Sequence, residues 1–487
     1  MMLGKILQTS RRRLIEVPFR LPSVQNQALA SSFPAHLFPP PPPRRRFQTS
    51  AEYREWQTKV IESRLQVPTN ALQSLNLEQE APFLFSVSPM ADRLELYGIS
   101  NAPLASPHES MLECRYPLEK DKLLRNSVTD FNNWSSFRLG KFYETVDALT
   151  ADVAYRHCNG GTPLDQAAEH RVTLVTAGHY HSRKLARTNI HTDLFLRSYV
   201  TSVGRSSMEV RTDAVDLCPD GSERLVNVCH TVMVALDPAT MKPLSKSGRS
   251  IRPLELTDDT RDAERLQLAQ QHQEIRQARS RQAMQLRLPV SAPPTPEEMR
   301  RVHQLQQGLI LQSEEPNSNK PPPPVVADFT FRSSCVVFPE QRNVHGKLFG
   351  GFVMTEAQNL AQYTATFFAQ GNPVISLGID DAIFLQPIGI GDLVTFTARL
   401  VHSTGSTCRV LVTVEVRDAK DRNRRPMRSN RLMFVFGGAN FPDRIVPSQY
   451  GEILMHIDAH RRHQVEGPFE EDVQRIVQEA QQKDFQC

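Results

Sequence analysis

The chain has 487 residues, of which 39 % are hydrophobic and 23 % are charged; these are ordinary globular values, and the length suits about two to four domains. Its formal net charge of +4 is small for this length, which argues against a nucleic-acid-binding protein. No stretch approaches about 18 consecutive apolar residues, so no transmembrane helix is expected. The seven scattered cysteines include no Cys-x-x-Cys pair, which argues against a zinc site and a disulfide framework.

The first 50 residues differ in composition from the rest of the chain. They contain eight Lys and Arg residues but one acidic residue, Glu16, and they end in RRRFQTS, which is similar to a matrix-protease cleavage region. An Arg-rich, acid-poor leader is typical of a mitochondrial transit peptide, and the alternative is a basic disordered tail. We therefore predict a transit peptide over residues 1–50, a location in the mitochondrial matrix, and an N-terminal extension of undetermined role over residues 51–104.

Two later blocks, residues 105–250 and 327–442, are predicted to be a degenerate internal repeat. Each block has one long segment with helical periodicity, GKFYETVDALTADVAYRHC in the first and GGFVMTEAQNLAQYTATFFA in the second. The apolar residues at helical spacing are Val146, Leu149, Val153 and Ala154 in the first block and Met354, Ala357, Ala361, Ala365 and Phe368 in the second.

Strand patterns follow each predicted helix, and they correspond between the blocks. TDLFLRSYVTSVGRSSMEV in the first block parallels GDLVTFTARLVHSTGSTCRV in the second, and Gly204 and Gly405 mark the turns. One long helix with antiparallel strands, present twice, predicts an α+β protein of two like domains. Because each helix is hydrophobic around most of its surface, we expect the sheet to wrap it.

The segments between and after the blocks differ in composition from them. Residues 251–326 are predicted to form a helical and Pro-rich linker. Within it, Thr295 at the N-cap, Pro296 at the first helical position and Glu298 form the pattern of a capping box. Residues 443–487 are predicted to be a C-terminal tail with a short helix over EEDVQRIVQEAQQ.

A polar loop with paired glycines precedes the second helix. The sequence NVHGKLFGG places Asn343, Gly346, Gly350 and Gly351 before the apolar run, and IDDAIFLQPIGIGDLV follows it as a strand pair. This combination resembles the hotdog fold of acyl-CoA thioesterases. Two such blocks behind a mitochondrial leader resemble the mitochondrial double-hotdog acyl-CoA thioesterases, the acyl-coenzyme A thioesterase 9-like family. RLGKFYETVDALTADVAYRH in the first block is similar to a segment of that subfamily, and the resemblance implies two tandem hotdog domains that form a pseudo-dimer.

The resemblance also implies one hydrolytic site between the domains, with a carboxylate from one half and an asparagine from the other. Aligning Gly140 with Gly351 places Asp147 at the carboxylate position of the first helix. The same alignment places Gln358 in the second helix, where an amide cannot act as a base. Asp147 would be the general base, and Asn343 would hold the water or the thioester carbonyl. The backbone N–H of Gly351 would stabilise the oxyanion, because a helix N-terminus presents free N–H groups and the positive end of its dipole.

Further residues are expected to contact the substrate. These are Gly346, Gly350, His345, Arg205 and Ser206. The last two lie at a predicted hairpin turn and would meet the phosphates of CoA, with an ordinary polar hairpin tip as the alternative. The structural alternatives for the catalytic residues are an exposed helix edge for Asp147, a turn cap for Asn343, and helix packing for the glycine pair.

Three weaker candidates complete the set of possible site residues. Glu356 is a carboxylate two positions off register, and Asn132 is a loose match to the asparagine position in the first block. His179 and His181 have metal-like spacing, but the sequence offers no third ligand nearby.

The expected function is hydrolysis of acyl-CoA thioesters to free fatty acid and CoA, with a role in fatty-acid metabolism. No metal or redox cofactor is expected, because CoA is part of the substrate, and no nucleic-acid partner is expected. The resemblance implies a homo-oligomer of double-hotdog units. The alternative is a non-catalytic acyl-CoA-binding or assembly protein of the same fold. A hydratase would need an Asp/His pair on one helix–loop unit, and the sequence shows no such spacing.

Overall fold

The computed structural model describes most of the two repeated blocks and parts of their surroundings. The described residues are 93–98, 110–131, 137–159, 172–218, 221–254, 293–314, 323–343, 345–421, 423, 425–438, 441–465 and 476. The predicted transit peptide and its cleavage region, most of the N-terminal extension, the Gln-rich part of the linker, Asn132 and nearly all of the predicted C-terminal helix lie outside these residues.

A strand, a long helix and four further strands occur in the same order in both halves. The first half contains β1 (Glu95–Gly98), β2 (Leu112–Tyr116), α1 (Lys122–Val128), α2 (Leu139–Asn159), β3 (Thr173–Lys184), β4 (Leu194–Val203), β5 (Ser207–Leu217) and β6 (Glu223–Leu236). The second half contains α3 (Pro296–Glu314), β7 (Thr330–Val336), α4 (Gly350–Phe368), β8 (Val374–Phe384), β9 (Leu393–Ser403), β10 (Thr407–Arg417), β11 (Met427–Gly438) and α5 (Tyr450–Val465). In each half a short strand leads to a long helix, and four longer strands follow.

The described strands form one antiparallel sheet that passes through both halves. Its order is β1-β2-β4-β5-β6-β3-β8-β11-β10-β9-β7, so β3 and β8 are the strands that join the halves. Apart from β1, which has no counterpart among the described strands, the five strands of each half follow the same order outward from that junction. The sheet therefore has a local twofold arrangement, as expected for two copies of one domain.

The register at the junction identifies which residues of the two halves correspond. Gly178 pairs with Ile383, and at the other end of the pairing Arg183 pairs with Gly378. The pairing covers residues 178–183 of β3 and 378–383 of β8, and it begins with a glycine in both strands. Each residue of β3 therefore corresponds to the residue 200 positions later in β8, since 378 − 178 = 200. The strands are close here, because a Cβ on Gly178 would lie 2.5 Å from the carbonyl oxygen of Ala382 and one on Gly378 would overlap the carbonyl of Ser182.

The two long helices, α2 and α4, pack against each other and against the strands of their own halves. All nine apolar residues that were predicted at helical spacing on these helices are buried. The fold is therefore two tandem hotdog domains, each with a long central helix wrapped by an antiparallel sheet, and the predicted fold class is confirmed. The exact domain boundaries stay predictions.

In the second half, α5 covers the other face of the sheet, and α3 packs against α5. Val401, Leu411 and Met433 on the strands cluster with Ala459 on α5. Val302 on α3 clusters with Ile453 and Ile457 on α5. The predicted capping box of α3 is confirmed, because the Thr295 N–H donates to Oε2 of Glu298 and the Glu298 N–H donates to Oγ1 of Thr295. No helix within the described residues is both long enough and apolar enough to span a membrane.

Three histidines of α5 and one of β9 lie together where this helix packs against the sheet. The ring centroids of His456, His460 and His463 are each 5.4 Å from that of His402 on β9. Burial, reinforced by the nearby charge of Arg301, lowers the pKa of His456 and of His460 to about 4. Burial also holds the pKa of His402 well below its usual value.

The junction glycine supports a first prediction. We expect Gly378→Ala to destabilise the protein by more than about 2 kcal/mol, because φ is +151° there and the new methyl group would overlap the Ser182 carbonyl. Gly308→Ala in α3 is the matched control, since a Cβ there would meet no atom within 4 Å and alanine favours a helix. Urea unfolding measures both variants. A Gly378→Ala protein as stable as wild type would show that the junction tolerates a side chain.

The buried histidines support a second prediction, on acid stability. An unfolded histidine titrates near 6.5, so the unfolded chain binds more protons than the folded chain between about pH 6.5 and pH 4. Stability is therefore full above about pH 6.5 and is lost as the pH falls toward 4. Between pH 7.5 and pH 5 the wild-type protein loses part of its free energy of unfolding. We expect His456→Gln to reduce this loss by on the order of 1–2 kcal/mol, measured by urea unfolding at both pH values. An unchanged pH dependence would contradict this assignment.

Candidate active site

The middle of α2 faces the beginning of α4. Asp147 on α2 is only 3 % exposed. A Cβ built on Gly350, the first residue of α4, would lie 2.7 Å from Oδ2 of Asp147. Any side chain at position 350 would displace the carboxylate, so glycine is needed for this approach. The structure therefore brings a carboxylate of the first half to the helix entrance of the second half.

The other oxygen of Asp147 is held by two side chains of β3. The hydroxyl of Thr176 donates to Oδ1 over 2.8 Å, and Nε2 of His179 lies 3.3 Å from the same oxygen. His179 is fully buried, so this is an internal polar contact. With Oδ1 occupied, the carboxylate presents Oδ2 toward Gly350.

The N-terminus of α4 meets this carboxylate without a side-chain cap. The N-cap residue is Phe349, which supplies no capping hydrogen bond, and the first turn contains no acidic residue. The first N–H groups of a helix have no acceptor within the helix and carry the positive end of its dipole. Charge and donors are therefore complementary at this point, with a carboxylate on one side and backbone N–H groups on the other.

Gly351 has a packing role in the structure. A Cβ there would lie 2.5 Å from the Phe349 ring and 2.9 Å from Cα of Glu144 on α2. Helix packing, the structural alternative for the glycine pair, therefore accounts for this glycine. The residue that faces Asp147 is Gly350, and an oxyanion-binding role for the N–H of Gly351 stays a prediction.

Asn343 caps its own loop. Its Oδ1 accepts hydrogen bonds from the N–H groups of His345, over 2.9 Å, and Lys347, over 3.1 Å. Gly346 has a φ of +67°, which favours glycine in this turn. The turn-cap alternative therefore describes the oxygen of Asn343, while no hydrogen bond donated by its Nδ2 is present among the described residues.

The same loop contacts α2 beyond Asp147. Nε2 of His345 lies 3.0 Å from the hydroxyl of Tyr155, two helical turns after Asp147. Desolvation lowers the pKa of His345. The loop and the start of α4 therefore run along the same helix as Asp147, so Asn343 belongs to the same inter-domain region as the carboxylate.

Arg205 and Ser206 lie at the turn between β4 and β5. The carbonyl of Arg205 accepts from the Ile251 N–H over 3.1 Å, and Oγ of Ser206 accepts from the Ser245 N–H over 2.7 Å. These contacts hold the turn against the segment that follows β6, and none of the described contacts joins it to Asp147. Binding of CoA phosphates by these residues stays a prediction.

The second half has no carboxylate at the corresponding position. Gln358 on α4 is buried, and its Nε2 donates to Oε1 of Gln362, whose own Nε2 donates to the carbonyl of Val374. Glu356 lies on another side of α4, where its charge acts on Cys335 of β7. Among the described residues, Asp147 is therefore the carboxylate that the α2–α4 contact places at a helix entrance.

The sequence analysis missed the two residues that hold Asp147. His179 was considered only as half of a His-x-His pair with metal-like spacing. No group of three or more potential ligands that could hold a metal is present among the described residues. The structure forms an Asp/His pair from α2 and β3, whereas the sequence analysis sought one on a single helix–loop unit. Regular alternation along β3 would place Thr176 and His179 on opposite faces, because they are three residues apart. An irregularity between Thr176 and Gly178 shifts the register, and both side chains reach Asp147.

No protein-family model matches the chain. The chain is 26 % identical over 360 residues to the mitochondrial acyl-coenzyme A thioesterase 10 of Mus musculus, covering 72 % of this chain and 77 % of that protein. It is 26 % identical over 366 residues to the mitochondrial acyl-coenzyme A thioesterase 9 of the same organism, covering 74 % and 78 %. A solved acyl-ACP thioesterase from Bacteroides thetaiotaomicron is similar with a TM-score of 0.39 and 11 % identity, covering 68 % of this chain and 99 % of that chain. The two mouse relatives confirm the similarity to mitochondrial acyl-CoA thioesterases that the repeat and the loop predicted.

Proposed function

We propose that this chain hydrolyses acyl-CoA thioesters to a free acid and CoA, in the mitochondrial matrix. One observation carries the proposal: the buried carboxylate of Asp147 presents Oδ2 to the uncapped N-terminus of α4. A base beside free backbone donors is the arrangement that attack of water on a carbonyl requires. The names of the mitochondrial relatives support the substrate class and the location.

The reaction follows from this geometry. A water molecule beside Oδ2 of Asp147 gives one proton to the carboxylate as its oxygen bonds to the thioester carbon. The carbonyl oxygen becomes an oxyanion, which the first-turn N–H groups of α4 stabilise. When the C–S bond breaks, the proton on Asp147 passes to the sulfur, so that the products are a carboxylic acid and the CoA thiol. Every step uses water and groups of the chain, so no metal or redox cofactor is needed.

Asn343 contributes the free end of its amide. Because Oδ1 is engaged in the loop, only Nδ2 remains as a donor to the water or to the thioester carbonyl. The loop cap fixes the orientation of this amide before substrate binds. His345, Gly346 and the turn of Arg205 and Ser206 are proposed to contact the CoA portion, and the active form is proposed to be a homo-oligomer of double-hotdog units.

Replacement of the base tests the proposal. We expect Asp147→Asn to lower kcat for acyl-CoA hydrolysis by about 10²- to 10⁴-fold, because the amide cannot accept the proton. The measurement is the rate of hydrolysis of acyl-CoA substrates with different acyl lengths by the protein lacking residues 1–50. Binding of the same substrates is measured separately. Equal rates in the variant and wild type would remove Asp147 from the mechanism. Binding of acyl-CoA without hydrolysis by wild type at any chain length would favour the non-catalytic binding protein.

A substitution at Asn343 separates its two roles. Asn343→Asp keeps the acceptor that caps the loop but removes the Nδ2 donor. We expect kcat to fall by about 10²-fold while the thermal unfolding temperature stays close to that of wild type. Asn343→Ala, which removes both functions, should lower kcat and also the unfolding temperature. Full activity of Asn343→Asp would limit this residue to capping its loop.

A further inference from the structure

A chain of buried polar side chains extends from Asp147 across β3 to β6. Nε2 of His179 lies 3.3 Å from Oδ1 of Asp147, and Nδ1 of His179 lies 2.9 Å from Oγ1 of Thr231. An ionised carboxylate can only accept hydrogen bonds, so Nε2 of His179 carries the proton when Asp147 is charged. The hydroxyl of Thr231 then donates to Nδ1 of the neutral ring, which fixes the tautomer that donates to Asp147.

The second half of the chain provides an internal comparison for this arrangement. By the junction register, His179 corresponds to Ile379 and Thr176 corresponds to Ser376. Both strands carry the same irregularity, since pairing skips one residue between Thr176 and Gly178 in β3 and one between Ser376 and Gly378 in β8. The correspondence therefore holds residue by residue on the strand that faces each central helix.

Among the described residues, the polar chain is present in the first half only. His179 pairs with Thr231 in the first half of the sheet, whereas Ile379 pairs with Phe434 in the second half. The half that has the carboxylate therefore has the histidine and its threonine, and the half with Gln358 has two apolar residues in their place. The hydroxyl at positions 176 and 376 is retained in both halves, so the difference is specific to the residues around the imidazole.

We propose that His179 is a positioning residue of the hydrolytic site, which holds Oδ1 of Asp147 so that Oδ2 faces the start of α4. This inference rests on the proposed function, because it assigns the proton-accepting lone pair to Oδ2. Donors on Oδ1 orient the plane of the carboxylate in this buried site. The proton that leaves the attacking water then arrives on the oxygen nearest the thioester and returns from it to the leaving sulfur.

The other groups around this contact do not supply a competing base. Glu144, one turn earlier on α2, is engaged by Nζ of Lys141 over 2.7 Å and by Oγ1 of Thr355 on α4 over 3.2 Å. On β6, the thiol of Cys229 lies 3.9 Å from Nδ1 of His179, and burial raises the pKa of this thiol to about 12, so it stays neutral. From β8 the ring of Phe384 packs against the imidazole, with centroids 6.1 Å apart.

The second half suggests the test variants. His179→Ile introduces the residue that β8 carries at the corresponding position, and His179→Gln keeps an N–H donor on the side chain. The matched control is Ser182→Ala, which copies Ala382 by the same register. It removes a buried hydroxyl on the same strand that binds Tyr143 and Asn227 and has no described contact with Asp147. For each variant, kcat and KM are measured on an acyl-CoA substrate, together with thermal unfolding.

We expect His179→Ile to lower kcat by about 10- to 100-fold with little change in KM, since misplacing a catalytic group by about 1 Å costs up to 10²-fold. His179→Gln should recover part of the lost kcat, and Ser182→Ala should change neither kcat nor KM. His179→Gln carries the test if His179→Ile does not fold.

Two results separate failure of this inference from failure of the proposed function. If Asp147→Asn is inactive while His179→Ile keeps the wild-type kcat, the positioning role is overturned and the proposed function stands. Equally low kcat values in His179→Ile and His179→Gln would likewise reduce His179 to a packing residue. If Asp147→Asn remains fully active, the proposed function itself fails.

Discussion

The close antiparallel contact of β3 with β8 is the constraint on which the site depends. Gly178 and Gly378 leave room for two backbones that a side chain would separate. Because this contact joins two sheets into one, it fixes α2 against α4 and brings the middle of one helix to the beginning of the other. A carboxylate and a helix N-terminus from distant parts of the sequence are thereby held together by main-chain pairing, which is more rigid than contact between two loops.

The buried carboxylate has an energetic cost that shapes its surroundings. Removing an ionised group from water costs several kcal/mol in a real protein, and hydrogen bonds to a charged group return about 1.5–3 kcal/mol each. Thr176, His179 and the dipole of α4 act on the two oxygens of Asp147 and offset that cost together.

Most of the fold could be predicted from the sequence, because it follows from periodicity and capping. The apolar positions of α2 and α4 and the capping box at Thr295 follow from local patterns that the structure retains. The alignment of the repeat also identified Asp147 and Gln358 as corresponding positions on the two helices. These features depend on residues that are near one another in sequence or related by the repeat.

The rest of the site could not be predicted, because it depends on register and on side-chain orientation. A shift of one residue in β3 decides that both Thr176 and His179 reach Asp147, and no sequence pattern shows that shift. The assignment of Gly350 to the carboxylate and Gly351 to helix packing depends on the rotation of α4 about its axis. The use of Oδ1 of Asn343 inside its own loop was only an alternative from the sequence, because it depends on the turn in which Gly346 has a positive φ.

The two halves place different chemical groups at corresponding positions of their central helices, a carboxylate in the first half and an amide in the second. In the second half, Gln358 and Gln362 form a ladder of amides, in which Gln358 donates to Gln362 and Gln362 donates to the carbonyl of Val374. This ladder ties α4 to β8 without placing a charge in the core, and a carboxylate at position 358 would lose the donor that the ladder needs. The second half thus provides a neutral, fixed helix whose N-terminus is open, while the first half provides the charge. An acid in both halves would place two buried anions at neighbouring helix contacts and weaken the frame that positions each of them.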